Sequence, residues 1–172
     1  LTNINSALAG MTFAPTANFN GSGSVQIQTS DQGNTGSGGA QSDNDTVTIT
    51  VNAVNDNPVH TVPGGQSTNE DGTLTFSSGN GNLISVADVD AASSSVQVTL
   101  TSTNGTATLS GTSGLTFSSG DGSADASMVF TGNLTNINSA LAGMTFAPTA
   151  NFNGSGSVQI QTSDQGNTGS GG

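Results

Sequence analysis

The oxygen-bearing groups of this sequence fall in a few short stretches whose spacing suits a hard divalent cation. "AVNDNPV" (53–59) places Asp56 between Asn55 and Asn57, after a strand-like run and before a proline. "NED" (69–71) follows with Glu70, then "ADVDA" (87–91) with Asp88 and Asp90 two residues apart. "SDQG" occurs twice, setting Asp31 and Asp164 each beside the end of an alternating run. Calcium takes about six to eight oxygens from carboxylates, amides and backbone carbonyls. Asn and Asp in turns present several such oxygens over a few residues. Asp56, Asp88, Asp90, Asp164 with its copy Asp31, and Glu70 are therefore the metal candidates, with Asp71 a neighbour of Glu70. Asp43, Asp45, Asp121 and Asp125 read as turn residues, because tight turns favour Asp on conformational grounds.

Composition narrows the partners. The 172 residues hold 11 acidic groups, one histidine, and no lysine, arginine or cysteine. Without Lys or Arg nothing can neutralise phosphates, which argues against nucleic acid. Anionic membranes would repel the chain, and no run approaches the roughly 18 apolar residues of a membrane span. No disulfide can staple the Gly-rich chain, so a cation is the natural stiffener. Clustered carboxylates repel within the Debye length of about 10 Å, and bound Ca²⁺ converts that repulsion into bridging.

The ingredients for catalysis are poor. A nucleophile–base pair would have to use His60, which sits beside Val59 and close to Val62, and reads as a plain linker histidine. "GNGN" and "GSGG" are turn composition rather than phosphate loops. "GGQSTNEDG" does not fit the nonapeptide calcium β-roll. The sequence therefore points away from an enzyme.

Residues 1–39 recur without a change at 134–172, an offset of 133 residues. A fixed long period marks a tandem array. The expected organisation is the C-terminal part of one repeat with its linker (1–59), then most of the next (60–172). Leu1 reads as a cut into a longer protein, and the continuation of the second copy is expected to resemble "AQSDNDTVTITVNAVNDNP".

The elements that must hold these groups are short strands. Alternation predicts strands over 24–30, 157–163, 45–54, 83–87, 95–101, 106–109 and 127–131, separated by Asn-Gly, Ser-Gly and Asp-Gly turn signals. Val47, Ile49 and Val51 are expected to face inward, with Thr46, Thr48 and Thr50 an ordinary exposed row. The exception is 133–144, where Ile137, Leu141 and Met144 follow a helical spacing. Asn136 is expected to cap that short helix and Gly143 to end it. About seven short strands at such spacing read as an all-β, antiparallel β-sandwich with one short helix.

"TSDQGNTGSGGAQSDNDTVTITVNAVNDNPV" resembles the end of a cadherin repeat: an Asp-x-Gly turn, a loop, a strand and an Asn-Asp-Asn-x-Pro-like linker. "NED" and "ISVADVDAASSSVQVTL" resemble the early part of the following repeat. The variant is most similar to the cadherin-like repeats of very large bacterial surface proteins, in which "VNDxP"-type domains build adhesin stalks. The resemblance implies tandem Ig/cadherin-like sandwiches with calcium at the junctions. It makes Asn55, Asp56 and Asn57 linker ligands, with Glu70, the pair Asp88 and Asp90, and Asp164 (Asp31 in the preceding copy). Position 53 is Ala where the family's linker usually begins with Asp, and no Asp-Arg-Glu-like element exists without Arg. Fewer ions per junction, or weaker binding, would follow.

These readings lead to one expectation and two rivals. The expectation is an extracellular or cell-surface structural repeat, a calcium-stiffened stalk or fibre for adhesion or matrix. Its partners are neighbouring repeats, including a homopolymeric filament. The rivals are a carbohydrate-binding adhesive module, weakened by the lack of Trp and Tyr, and a filament subunit joined by strand exchange without calcium. Five N-x-Ser/Thr sequons begin at Asn20, Asn44, Asn104, Asn133 and Asn153. The lack of Lys and Arg also removes every trypsin-type cleavage site. Both features suit an exposed protein.

Overall fold

The computed structural model describes residues 1–33 and 36–166; the Gly-rich stretch expected to form the loop after Asp164 lies outside them. The chain divides into two compact units, Leu1–Ala53 and Val54–Gly172. The boundary places Asn55, Asp56 and Asn57 of the acidic elbow in the second unit.

The first unit is a helix and a hairpin. Helix α1 spans Thr2–Leu8. Strands β1 (Gly21–Ser30) and β2 (Ser42–Val51) pair antiparallel along their whole length, from Gly21 opposite Val51 to Ser30 opposite Ser42. Asp43 and Asp45 lie within β2, which corrects their reading as turn residues. The register runs unbroken, as the strict alternation of both segments requires. No residue among those described in this unit is buried, and Leu1, Ile4, Leu8, Met11 and Phe13 are all exposed.

The second unit carries the core. Its strands are β3 (Val59–Thr61), β4 (Leu74–Thr75), β5 (Ser85–Ala87), β6 (Ser95–Thr103), β7 (Gly105–Thr108), β8 (Thr116–Ser119) and β9 (Ser127–Asn133). Helix α2 (Leu134–Leu141) leads to β10 (Thr145–Pro148) and β11 (Ser157–Ser163). All pairings are antiparallel, in sheets ordered β3-β5, β4-β10-β7 and β11-β6-β9-β8.

Alternation explains the core. Along β6, Val96, Val98 and Leu100 point inward; along β9, Met128 and Phe130 do the same. They meet Ile137, Leu141 and Met144, which the helical spacing brings onto one face of α2 and its exit. The helix begins at a different cap from the one read in the sequence. Asn133 is the N-cap, its Oδ1 accepting the Asn136 N–H at 2.9 Å, so Asn136 is inside the helix and donates. Asn133 also ends β9, which makes it the hinge between strand and helix. Gly143, at φ +100, then turns the chain where a Cβ would be strained.

The described residues therefore hold two short helices rather than one. Both arise from the same residues, 2–8 and 135–141, in the two copies.

Candidate cation site at the acidic elbow

The elbow begins where β2 ends and closes onto the far end of β11. Asn55 and Pro58 are half-buried, while Asp56 and Asn57 are exposed. The Asn55 side-chain amide donates to Oδ2 of Asp164, joining the elbow to the turn that follows β11. The Asp56 backbone N–H donates to Oδ2 of Asp90 at 2.6 Å. Asp88 in turn organises its own loop: its Oδ1 accepts the N–H of Asp90 at 2.8 Å and of Ala91 at 2.9 Å. This is an Asx-type turn, which the sequence Asp-x-Asp favours because the short side chain reaches its own backbone.

Two oxygens at this corner are buried and have no hydrogen-bond partner: Asn55 Oδ1 and Asp88 Oδ2. A buried polar atom without a partner is uncommon and destabilising. A carboxylate oxygen in that position has no Lys or Arg in the chain to pair with. A hard cation is the partner whose chemistry fits both atoms, since amide and carboxylate oxygens are calcium donors. Asn55, Asp88, Asp90 and Asp164 would be the holders.

Local hydrogen bonds favour the charged carboxylates. The Asn55 amide, then the Gly166 backbone N–H at 3.1 Å, hold the Asp164 carboxyl below its ordinary value. In the first unit the Gly33 N–H at 2.9 Å, then the Gln41 N–H at 2.8 Å, do the same for Asp31.

The remaining candidates sit elsewhere. Asp31 belongs to the first unit, where its carboxylate closes the β1–β2 loop. Glu70 is exposed and lines a groove with Asn104, Phe152 and Ser157, at the start of β11, whereas Asp164 follows its end. The strand thus separates Glu70 from the elbow. Asp71, at φ +61, accepts the Asn151 N–H at 2.8 Å and pins a loop. Among the described residues, no three His, Cys, Asp or Glu side chains are grouped to hold a metal. A cation at the elbow would therefore draw on amide and backbone oxygens beside the carboxylates.

Asp125 and Asp121 fill turn roles. Asp125 Oδ2 accepts the N–H of Asp121 at 3.0 Å and of Gly122 at 2.8 Å, and Asp121 Oδ1 accepts Ser123 N–H at 2.9 Å. His60 lies in β3, half-buried, its Nε2 2.8 Å from Thr162 Oγ1. That contact, which ties the entry strand to β11, carried no signal in the sequence because its partners are 102 positions apart.

Among the described residues no helix is long and apolar enough to cross a membrane. No family model, no curated protein and no solved structure matches this chain.

Proposed function

We propose that the chain is a structural repeat of an extracellular stalk or fibre, built from cadherin-like β-sandwich units and stiffened by calcium at the elbow. The reading is supported by the all-antiparallel strands, the exact 39-residue repetition and the elbow's docking on Asp90 and Asp164. The single observation that carries it is the pair of buried, unpartnered oxygens of Asn55 and Asp88 in a chain without Lys or Arg. A cation there would tie the elbow to the loop after β5 and the turn after β11, and so fix the chain where it enters the second unit. The role is mechanical: identical copies set spacing and reach.

The test is calcium titration of the chelator-treated full chain, followed by thermal melting and small-angle scattering. Calcium is expected to raise the melting temperature and to reduce the spread of particle dimensions. Asp88→Asn keeps the Oδ1 acceptor of the Asp-x-Asp turn but lowers the charge, and is expected to lose the calcium response while folding normally. A wild-type chain whose melting and dimensions are the same with calcium and with chelator would overturn the reading.

A further inference from the structure

We infer that Asn138 of α2 is the positioning residue for the Asp88–Asp90 loop, and that the helix and a cation at the elbow are coupled through it. The coupling rests on the calcium reading; the positioning stands on hydrogen bonds alone.

The side chain of Asn138 serves β5 as a third strand would. Its Oδ1 accepts the Val86 N–H at 2.9 Å, and its Nδ2 donates to the Val86 carbonyl at 2.8 Å. On the other side β5 pairs with β3, where His60 stands opposite Val86. In an antiparallel pair, alternate residues turn both backbone groups away from the partner strand. Val86 is such a residue, and its N–H and C=O go to α2 instead. It is 3% exposed, so bulk water does not reach it. One side chain thus satisfies two buried backbone groups that would otherwise be orphaned.

The residue type is specific. A carboxamide carries a donor and an acceptor side by side, whereas an ionised carboxylate only accepts. Asn is also a weak helix former, because its side chain competes for nearby backbone groups. At position 138 that side chain is occupied by the backbone of another element.

Helix α2 is held at both ends. Asn133 caps its start. At its end the Ser110 N–H donates to the Ala140 carbonyl at 2.9 Å, and Ser110 Oγ donates to the Ser139 carbonyl at 2.8 Å. Ile137 and Leu141, on either side of Asn138, are fully buried. Asn138 is therefore presented from a fixed platform.

The acidic loop begins two residues beyond Val86. Asp88 Oδ1 accepts the N–H groups of Asp90 and Ala91. Ala91 is buried, and its carbonyl accepts the Ser94 N–H at 2.6 Å. Asp88 thus hangs between two anchors, Val86 on α2 and Ala91 in the core. Two extended residues span about 7 Å, so the tether from Val86 is short. Asn138 sets the direction of the unpartnered Asp88 Oδ2 without being a ligand itself. Removing a group that orients a metal ligand typically weakens affinity by about 10–100-fold. Such coupling is reciprocal: a cation that fixes Asp88 also holds Val86 on α2.

The experiment uses the full chain. Asn138→Leu has similar volume and removes both hydrogen bonds. In chelator it is expected to speed NMR amide exchange at Val86, Asp90 and Ala91 by about tenfold or more relative to the β6 amides. In calorimetric titration it is expected to weaken calcium binding by about tenfold or more. Asn138→Ala, which leaves room for water at Val86, is expected to act in the same direction and carries the test if the Leu chain does not fold. Leu100→Ala is the control: it opens a cavity under β6, leaves the Asn138–Val86 bonds in place, and is expected to melt earlier with wild-type calcium affinity. In the wild-type chain calcium should slow exchange at Val86.

Unchanged exchange at Asp90 and Ala91 in the Asn138 variants would overturn the positioning role. Faster exchange with unchanged calcium affinity, or an equal loss of affinity in Leu100→Ala, would overturn the coupling. A wild-type chain that binds no calcium would overturn the calcium reading and the coupling with it, while exchange in chelator would still decide whether Asn138 positions the loop.

Discussion

Asn55 and Asp164 are 109 positions apart in sequence and share a hydrogen bond, the amide of one donated to the carboxylate of the other. That bond sets the elbow against the turn after β11, beside the Asp88–Asp90 loop. Asn55→Ala would leave the Asp164 carboxylate without its amide donor and free the elbow. We expect a lower melting temperature and increased amide exchange at Asn55, Asp56 and Asn57, with the β6–β9 core amides unchanged, measured by hydrogen exchange.

The two copies of the repeated segment provide an internal control on burial. Leu141 is fully buried and its copy Leu8 is exposed. Leu141→Ala is expected to destabilise the second unit by about 2–5 kcal/mol, while Leu8→Ala shifts stability by about 0.5 kcal/mol or less. Chemical denaturation of both variants reads the difference.

The start of α2 gives a sharper comparison between two asparagines. Asn133→Ala removes the side chain that accepts the Asn136 N–H, and is expected to destabilise by about 1 kcal/mol. Asn136→Ala leaves that cap in place and is expected to have the smaller effect. Thermal denaturation of the two variants should rank them in that order.

In chelator, the Asp31 and Asp164 carboxyls should titrate below the ordinary value of 3.8. Their folded values are depressed, so the unfolded chain takes up protons first on acidification. The stability they contribute is present above about pH 4, declines as the pH falls through the folded values, and is lost below them. Carbon-detected NMR titration of the carboxyls and melting across acid pH test the two halves of this statement. Midpoints at or above the ordinary value, with acid-insensitive melting, would contradict it.

The strands were legible where apolar and polar residues alternate without interruption. The segment 95–101 became β6, 127–131 became β9, and the helix over 133–144 appeared as α2. Its cap was displaced from Asn136 to Asn133 because periodicity locates a helical face but not the residue whose side chain reaches back to the first free N–H. Asp43 and Asp45 were drawn into β2 because pairing with β1 along ten residues overrides the turn preference of isolated aspartates. At the elbow, the sequence indicated Asp88, Asp90 and Asp164 as acids close to turns, and the structure attaches Asn55 and Asp56 to two of them. The separation of Glu70 from that corner was invisible, since it follows from the length of β11 and not from any spacing along the chain. His60 and Thr162 were equally hidden, being joined only by topology.

The repetition of 1–39 at 134–172 has a kinetic consequence. Both copies form the same helix and place the same phenylalanine rings over the same glycines, one against a core and one without it. The same local structure thus occurs with and without a core packed against it. During synthesis, the stretch 54–133 emerges after one copy and before the other, and both offer it the same residues to pair with. Correct closure differs from wrong closure only in the entropy of the intervening loop, which changes slowly with length. An array with exact copies therefore relies on order of emergence to avoid mispaired halves, and would refold from denaturant more slowly and less cleanly than a single unit.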